Sequence, residues 1–265
     1  MMETRRWVHR LTARAGMLGA LALGFGMAGC GAEPALDASE AEGQPPQLVI
    51  FVYDRSASIS DHQLELAQQL TRQRISELHH GDRIAALQVL QRSLEEPPQR
   101  WSQDVPKAQM EGRELKRDSV TLARFQRDAD AYMRAFTDAG DREEIMGTDI
   151  LSTLHDAAAE VGPYRDYRKV IYLFSDMLQS GSEIEMEGLR RMPGDDWIES
   201  RKTSGRLPDL SGVCVVVIGG RIDTETGQRV KGFWSEYFKA TGANLYDHNY
   251  SLRPVTLPTD PCPGV

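Results

Sequence analysis

The sequence lacks the features of nucleic-acid-binding and multi-span membrane proteins. It has 39 acidic and 31 basic residues, a formal charge of −8, and no lysine- or arginine-rich run with interleaved aromatics. Because nucleic-acid binding depends on a basic surface, we expect no nucleic-acid partner. The hydrophobic fraction of 40% is ordinary for a soluble globular core and excludes a mostly disordered chain.

Common catalytic and cofactor motifs are missing as well. The chain has no Gly-x-Ser-x-Gly elbow and no His-Glu-x-x-His helix. Gly219 and Gly220 follow an apolar run, but neither a Gly-x-Gly-x-x-Gly pattern nor a phosphate-loop lysine accompanies them. We therefore interpret them as a turn and expect no small-molecule cofactor.

Only three cysteines are present, and their spacing is not that of metal ligands. Cys30 belongs to the N-terminal segment, which leaves Cys214 and Cys262. These two pair if the chain is exported to an oxidising compartment. Alternatively, Cys214 is a buried thiol, since it lies within the apolar run 213–218. The sequence leaves both alternatives open.

The N-terminus is typical of an export signal. Four arginines precede a short apolar stretch at residues 15–25, which is too short for a comfortable membrane span, and small residues lead to Cys30. Residues 1–29 resemble a bacterial lipoprotein signal, although Met27 stands where leucine is usual. The resemblance implies lipidation of Cys30 and a place in the cell envelope. The residue after the cysteine is Gly31, not the aspartate that retains lipoproteins in the inner membrane, so the resemblance favours the outer membrane. The alternative is an ordinary signal with a coincidental cysteine.

Apolar runs and helical spacing alternate after a low-hydrophobicity tether at residues 30–46. Continuous apolar runs predict strands buried on both faces, and strands alternating with helices predict parallel pairing. We expect a single α/β domain, with a doubly wound, mostly parallel sheet flanked by helices. The predicted strands are 48–53, 84–90, 170–174, 213–218 and a short edge strand at 243–246, and the predicted helices are 61–78, 122–136, 150–161 and 233–240.

The domain is expected to span residues 47–250. A polar, irregular stretch at about 91–119 is interpreted as a surface insertion that contributes little to the core, and residues 251–265 as a C-terminal tail.

Polar residues cluster where two predicted strands end and one predicted helix begins. Asp54, Ser56 and Ser58 follow the first strand, Asp176 follows the strand ending at position 174, and Thr148 lies just before a helix. Ligands of such sheets bind beyond the carboxyl ends of the strands, so we expect these residues on one face. Carboxylates and hydroxyls without His or Cys disfavour zinc and copper and suit Mg²⁺, Mn²⁺ or Ca²⁺.

Asp-x-Ser-x-Ser after a strand, Gly-Thr-Asp before a helix and Ser-Asp after a second strand resemble the von Willebrand factor type A domain and its metal-ion-dependent adhesion site. The resemblance implies that Ser56 and Ser58 coordinate the metal directly and Thr148 directly or through water. Asp54 and Asp176 would hold coordinated waters. A carboxylate of a protein partner would complete the coordination.

The sequence thus predicts a membrane-anchored, metal-dependent protein-binding module that is not an enzyme. One alternative is a metal-dependent phosphohydrolase, because an aspartate ending the first strand also serves phosphotransfer folds. That chemistry usually needs a second carboxylate two residues on, or a lysine near the phosphate, and position 56 is serine. Another alternative is a structural envelope lipoprotein with a vestigial site.

Overall fold

A six-stranded sheet in the order β3-β2-β1-β4-β5-β6 forms the centre of the molecule. The structure is a computed structural model that describes residues 45–90, 99–109, 115–138, 147–181, 183–189, 191–258 and 260–264. The predicted signal at 1–29, the lipidation site Cys30 and most of the tether lie outside the described residues. The elements are β1 Gln47–Asp54, α1 Asp61–Ser76, β2 Arg83–Val89, β3 Arg100–Asp104, α2 Leu115–Asp138, α3 Ile150–Val161, β4 Arg168–Phe174, α4 Asp195–Thr203, β5 Val213–Ile218, α5 Glu225–Ala240 and β6 Tyr250–Ser251.

The strand pairing confirms a doubly wound, mostly parallel α/β sheet. Every neighbouring pair is parallel except β2 and β3, which are antiparallel. The strand order reverses between β1 and β4, where Tyr53 is the register partner of Phe174. In doubly wound sheets this switch point opens the crevice in which ligands bind.

Both faces of the sheet are covered, which explains why the central strands are continuously apolar. Alternate residues of β1 point to opposite faces. Leu48, Ile50 and Val52 belong to the core formed with α3, α4 and α5. Residues such as Phe51 and Tyr53 belong to the core formed with α1 and α2. Within the described ranges, no helix is both long and apolar enough to span a bilayer.

The structure differs from the sequence predictions at the edges of the sheet. The stretch at about 91–119, expected to be irregular, contains the edge strand β3, whose side chains are mostly exposed and therefore give no apolar pattern. The edge strand predicted at 243–246 is wrong: Asn244 makes only one bridge to Cys214, and regular pairing comes at β6 after a 3₁₀ turn at Asp247–Asn249. The sequence pattern does not indicate α4, and α5 begins eight residues before the predicted start at 233.

The C-terminal residues pack against the sheet instead of forming a free tail. Leu257 and Cys262 are buried in the core beside α1 and α2. The Tyr172 hydroxyl donates a hydrogen bond to the carbonyl oxygen of Pro258, 3.2 Å away. Cys262 forms a disulfide with Cys214 of β5, with Cα atoms 5.8 Å apart. The C-terminal segment is thus attached to the sheet by a hydrogen bond, by apolar packing and by a covalent bond.

We expect the disulfide to stabilise the domain by restricting the unfolded chain. It closes a loop with a sequence separation of 48 residues. A loop of this length corresponds to a loss of about 3–4 kcal/mol when the bond is removed. Cys262→Ser should therefore lower the free energy of unfolding by that amount in urea titrations under oxidising conditions.

Reductant is the matched control for this variant. The wild-type domain in reductant should unfold at nearly the same urea concentration as Cys262→Ser, and reductant should not change the variant further. Equal stability of the oxidised wild type and Cys262→Ser would contradict the prediction.

Candidate metal centre

Asp54 ends the central strand β1 and is fully buried, with 0% of its surface exposed. One carboxylate oxygen, Oδ1, accepts a hydrogen bond from the backbone N–H of Ser56 at 2.9 Å. The other, Oδ2, accepts one from the hydroxyl of Ser175 at 2.7 Å. The carboxylate is therefore oriented from both sides of the switch point, by its own loop and by the loop after β4.

The two serine hydroxyls of the first loop lie next to each other. The Oγ atoms of Ser56 and Ser58 are 3.0 Å apart. Ser56 is buried and Ser58 is exposed. A backbone bond from Ile59 N–H to the Ser56 carbonyl closes the turn at 3.0 Å. The turn thus places one buried and one exposed hydroxyl side by side in the loop that follows Asp54.

Asp176 stands in a tightly hydrogen-bonded turn after β4. Its Oδ1 accepts from the N–H of Leu178 at 3.0 Å. The next residue, Met177, has a positive φ of 66°, a conformation that costs a non-glycine residue energy and persists only where its surroundings enforce it. The N–H of Met177 donates to Ser175 Oγ at 2.9 Å, and Trp234 Nε1 donates to the Met177 carbonyl at 2.8 Å. Contacts from the end of β4 and from α5 therefore hold this backbone in place.

Thr148 is buried and lies beside the same turn. It pairs with Ser180 in an isolated antiparallel bridge, with N···O distances of 3.0 Å and 2.8 Å. The following residue, Asp149, caps α3 by accepting from the N–H of Ser152. The structure thus brings the Thr148 loop against the segment that continues from Asp176.

Burial and like charge both act on Asp54. Desolvation is the larger cause, and repulsion from the Asp176 carboxylate adds to it. Together they outweigh the hydrogen bonds from Ser175 and Ser56 and raise the pKa of Asp54 to about 6. Neither Asp54 nor Asp176 forms an ion pair with a lysine, arginine or histidine among the described residues. A bound cation would place positive charge beside the two carboxylates.

The five candidate ligands offer only hard oxygen atoms to a metal: those of two carboxylates and the hydroxyls of Ser56, Ser58 and Thr148. Such oxygens suit Mg²⁺, Mn²⁺ or Ca²⁺. In the described part of the chain no three His, Cys, Asp or Glu side chains cluster as metal ligands. The chemistry of the five side chains, in which hydroxyls outnumber carboxylates, is compatible with such a cation, and the contacts that the structure shows join Asp54 to the loops of Ser56 and Ser175 and Thr148 to Ser180.

Sequence reasoning assigned no role to the residues that support this set, although Ser175 and Asp149 belong to the motifs that it used. Ser175 contacts Asp54 directly, Trp234 holds the backbone after Asp176, and Gln179 contacts Asp149. The capping role of Asp149 could have been predicted from local sequence, because it directly precedes α3 and aspartate is a preferred N-cap residue. No local pattern indicates Trp234 or Gln179, because their partners come from distant parts of the chain.

Comparisons with known proteins give weak structural likenesses. No protein-family model matches the sequence, and no curated protein matches it. An aerotolerance-related membrane protein from Bacteroides fragilis NCTC 9343, with multiple mutations to serines, matches at a TM-score of 0.40 and 16% identity, over 77% of this chain and 93% of that one. A von Willebrand factor type A protein from Catenulispora acidiphila matches at a TM-score of 0.32 and 12% identity, over 75% of this chain and 43% of that one. Both TM-scores are below 0.5, and neither likeness carries an argument about this chain. The fold class rests instead on the strand order and layers described above.

The raised pKa of Asp54 predicts that the metal-free domain loses stability as pH rises. Between the ordinary aspartate pKa of 3.8 and about 6, the folded state holds a proton that the unfolded state has lost. The free energy of unfolding therefore falls as pH rises through this window, by about 3 kcal/mol in total. Asp54→Asn, which has no charge to bury, should be more stable than wild type at pH 7.5 in EDTA by up to about 3 kcal/mol.

Urea unfolding in EDTA at about pH 7.5 and at about pH 4.5 measures this effect. The advantage of Asp54→Asn should shrink at the lower pH, where the wild-type carboxyl is protonated in the folded state. Asp166→Asn, a change at an exposed aspartate, is the control and should show little difference at either pH. An advantage of Asp54→Asn that is unchanged between the two pH values would count against the buried charge as its cause.

Proposed function

We propose that this chain is a divalent-metal-dependent protein-binding domain. The observation that carries the proposal is the arrangement at the switch point. Asp54 and Asp176 repel each other there without a described cationic partner, and the hydroxyls of Ser56 and Ser58 contact each other in the loop that follows Asp54. A cation at this position would remove the repulsion and use oxygens already oriented by the fold.

The von Willebrand factor type A resemblance assigns a role to each residue. In this proposal Ser56 and Ser58 bind the metal directly, and Thr148 binds it directly or through water. Asp54 and Asp176 orient coordinated waters. The bound cation supplies electrostatic attraction for a carboxylate of a protein partner. Because the aspartates act mostly through water, the metal retains positive charge that an acidic partner side chain can neutralise.

Binding is favoured over hydrolysis by what surrounds Asp54. Both of its oxygens accept hydrogen bonds from the fold, one from the Ser56 N–H and one from the Ser175 hydroxyl. Phosphotransfer chemistry at such an aspartate usually needs a second carboxylate two residues on for proton transfer, and position 56 supplies a hydroxyl in its place. We therefore propose no catalytic residue.

We also propose that the domain is held in the cell envelope by a lipid on Cys30, with the outer membrane favoured. β1 begins at Gln47 and ends at Asp54, so the candidate metal centre lies at the opposite end of the strand, roughly 25 Å away for eight residues.

The metal site is tested by isothermal titration calorimetry of the domain with Mg²⁺ and Mn²⁺. We expect saturable binding by wild type and a loss of roughly 10–100-fold in affinity for Asp54→Ala, which removes an oriented carboxylate beside the metal. Asp166→Asn is again the control and should bind like wild type. No binding by wild type would refute the metal site.

A phosphoester substrate added to the same samples separates the enzyme alternative. The proposal expects no metal-dependent turnover. Turnover by wild type that Asp54→Ala abolishes would favour the phosphohydrolase.

The partner interaction is tested by pull-down from an envelope extract with immobilised wild-type domain. We expect specific proteins to be retained in Mg²⁺ and released by EDTA, because the partner carboxylate binds through the cation. The Asp54→Ala domain should retain none of them in Mg²⁺. Retention that is equal in Mg²⁺ and EDTA would leave the metal without a role in binding and favour a vestigial site.

A further inference from the structure

We propose that Gln179 is a positioning residue of the metal centre, which fixes the Thr148 loop relative to the Asp176 turn. This inference rests on the proposed function. It deepens that function by assigning part of the metal affinity to a side chain outside the five candidate ligands.

Gln179 connects the two loops with both ends of its amide. It is fully buried, with 0% exposure. Its Nε2 donates to Asp149 Oδ1 at 3.0 Å, and its Oε1 accepts from the backbone N–H of Leu151 at 3.1 Å. Leu151 N–H is one of the first-turn groups of α3 that have no partner within the helix. Gln179 therefore completes the cap of α3 from a different loop.

The Asp149 carboxylate accepts three hydrogen bonds, and Asp149 lies directly after Thr148. Besides Gln179, the N–H and the hydroxyl of Ser152 donate to its carboxylate, at 3.2 Å and 2.6 Å. The carboxylate therefore anchors the residue following Thr148 both to α3 and to the loop after β4. A shift of the Gln179 amide would move Asp149, and Asp149 is joined to Thr148 by a single peptide bond.

Between the Thr148 loop and the loop after β4, the backbone pairing that the structure describes is limited to one bridge. Thr148 and Ser180 form an isolated bridge, not part of a strand ladder. Gln179 directly precedes Ser180, so its side chain reinforces the bridge on the side of α3. On the other side, Trp234 holds the Met177 carbonyl. Together these contacts join the Thr148 loop, the Asp176 turn and α5 into one hydrogen-bonded unit.

The space at Gly181 shows how closely this unit is packed. A Cβ atom at this position would lie 2.6 Å from Gln179 Nε2 and 3.2 Å from the Asp149 carboxyl carbon. Glycine thus leaves the room that the Gln179 amide needs to reach Asp149. A methyl group here would displace the amide without removing any donor or acceptor.

Metal affinity should be sensitive to such a displacement. Mg²⁺ requires near-octahedral coordination with short, narrowly defined distances, so ligands from two loops must be held at a fixed separation. Hydrogen-bonded residues behind metal ligands typically contribute about 10–100-fold to affinity. The Gln179 amide joins the Thr148 loop to the segment after Asp176. Without this amide, the backbone bridge between Thr148 and Ser180 would have to set the separation of the two loops.

The test is calorimetric titration of the domain with Mg²⁺, with wild type, Gln179→Met and Gly181→Ala compared. Gln179→Met keeps most of the buried volume and removes both hydrogen bonds, whereas Gly181→Ala displaces the amide. We expect both variants to be folded in EDTA and to bind Mg²⁺ about 10–100-fold more weakly than wild type. Urea unfolding in EDTA reports their metal-free stability separately.

Gln88→Met is the matched control. Gln88 is also a buried glutamine, but its amide donates to the Phe136 carbonyl, at 2.7 Å, in the core beside α2. This variant should lose stability in urea and keep wild-type Mg²⁺ affinity, which separates a positioning effect from a general loss of stability.

The outcomes distinguish the two proposals. If wild type does not bind Mg²⁺, the proposed function fails and this inference fails with it. If Gln179→Met and Gly181→Ala both bind Mg²⁺ with the affinity of wild type, the positioning role is overturned and the proposed function stands. Unfolding of both variants in EDTA, with Gln88→Met still folded, would assign Gln179 to fold stability and also overturn the inference.

Discussion

Two aspartates beside the switch point of the sheet govern how the rest of the site is built. Asp54 is enclosed at the end of the central strand, and the charge of Asp176 raises its pKa further. Burying a carboxylate without a cation costs free energy that hydrogen bonds recover only in part. The Ser56 N–H and the Ser175 hydroxyl supply those bonds, and both come from loops at the carboxyl edge of the sheet. The position of each loop is therefore tied to the Asp54 carboxylate.

The central strands were predictable because burial on both faces leaves a simple pattern. β1, β2, β4 and β5 are apolar at nearly every position, and helices that cover two faces require it. The edge strands carry no such pattern. The side chains of β3 are mostly exposed, so burial imposes no apolar run on them. β6 has only two residues, and its pairing is determined by the tertiary path of the chain after Asn249.

The five candidate ligands were predictable as residue types at strand ends and a helix start, because parallel strands bring their carboxyl ends to one edge. What the sequence does not contain is how those loops are supported. Gln179 and Trp234 act on partners 28 or more residues away, and glutamine or tryptophan in a loop or helix has no local pattern that predicts such a contact. The positive φ of Met177 is likewise a product of its surroundings, since methionine does not favour that conformation.

The proposed metal site would link stability and metal binding through Asp54. Without a cation, keeping this carboxylate ionised at neutral pH costs about 3 kcal/mol, a large fraction of the net stability of a typical domain. A cation bound to the folded state would remove this cost, and it would add stability in proportion to the logarithm of its concentration above its dissociation constant. The disulfide between Cys214 and Cys262 acts on the unfolded chain and offsets a cost of this size. The covalent link thus compensates in the unfolded chain for a buried charge that the folded state carries at the end of β1.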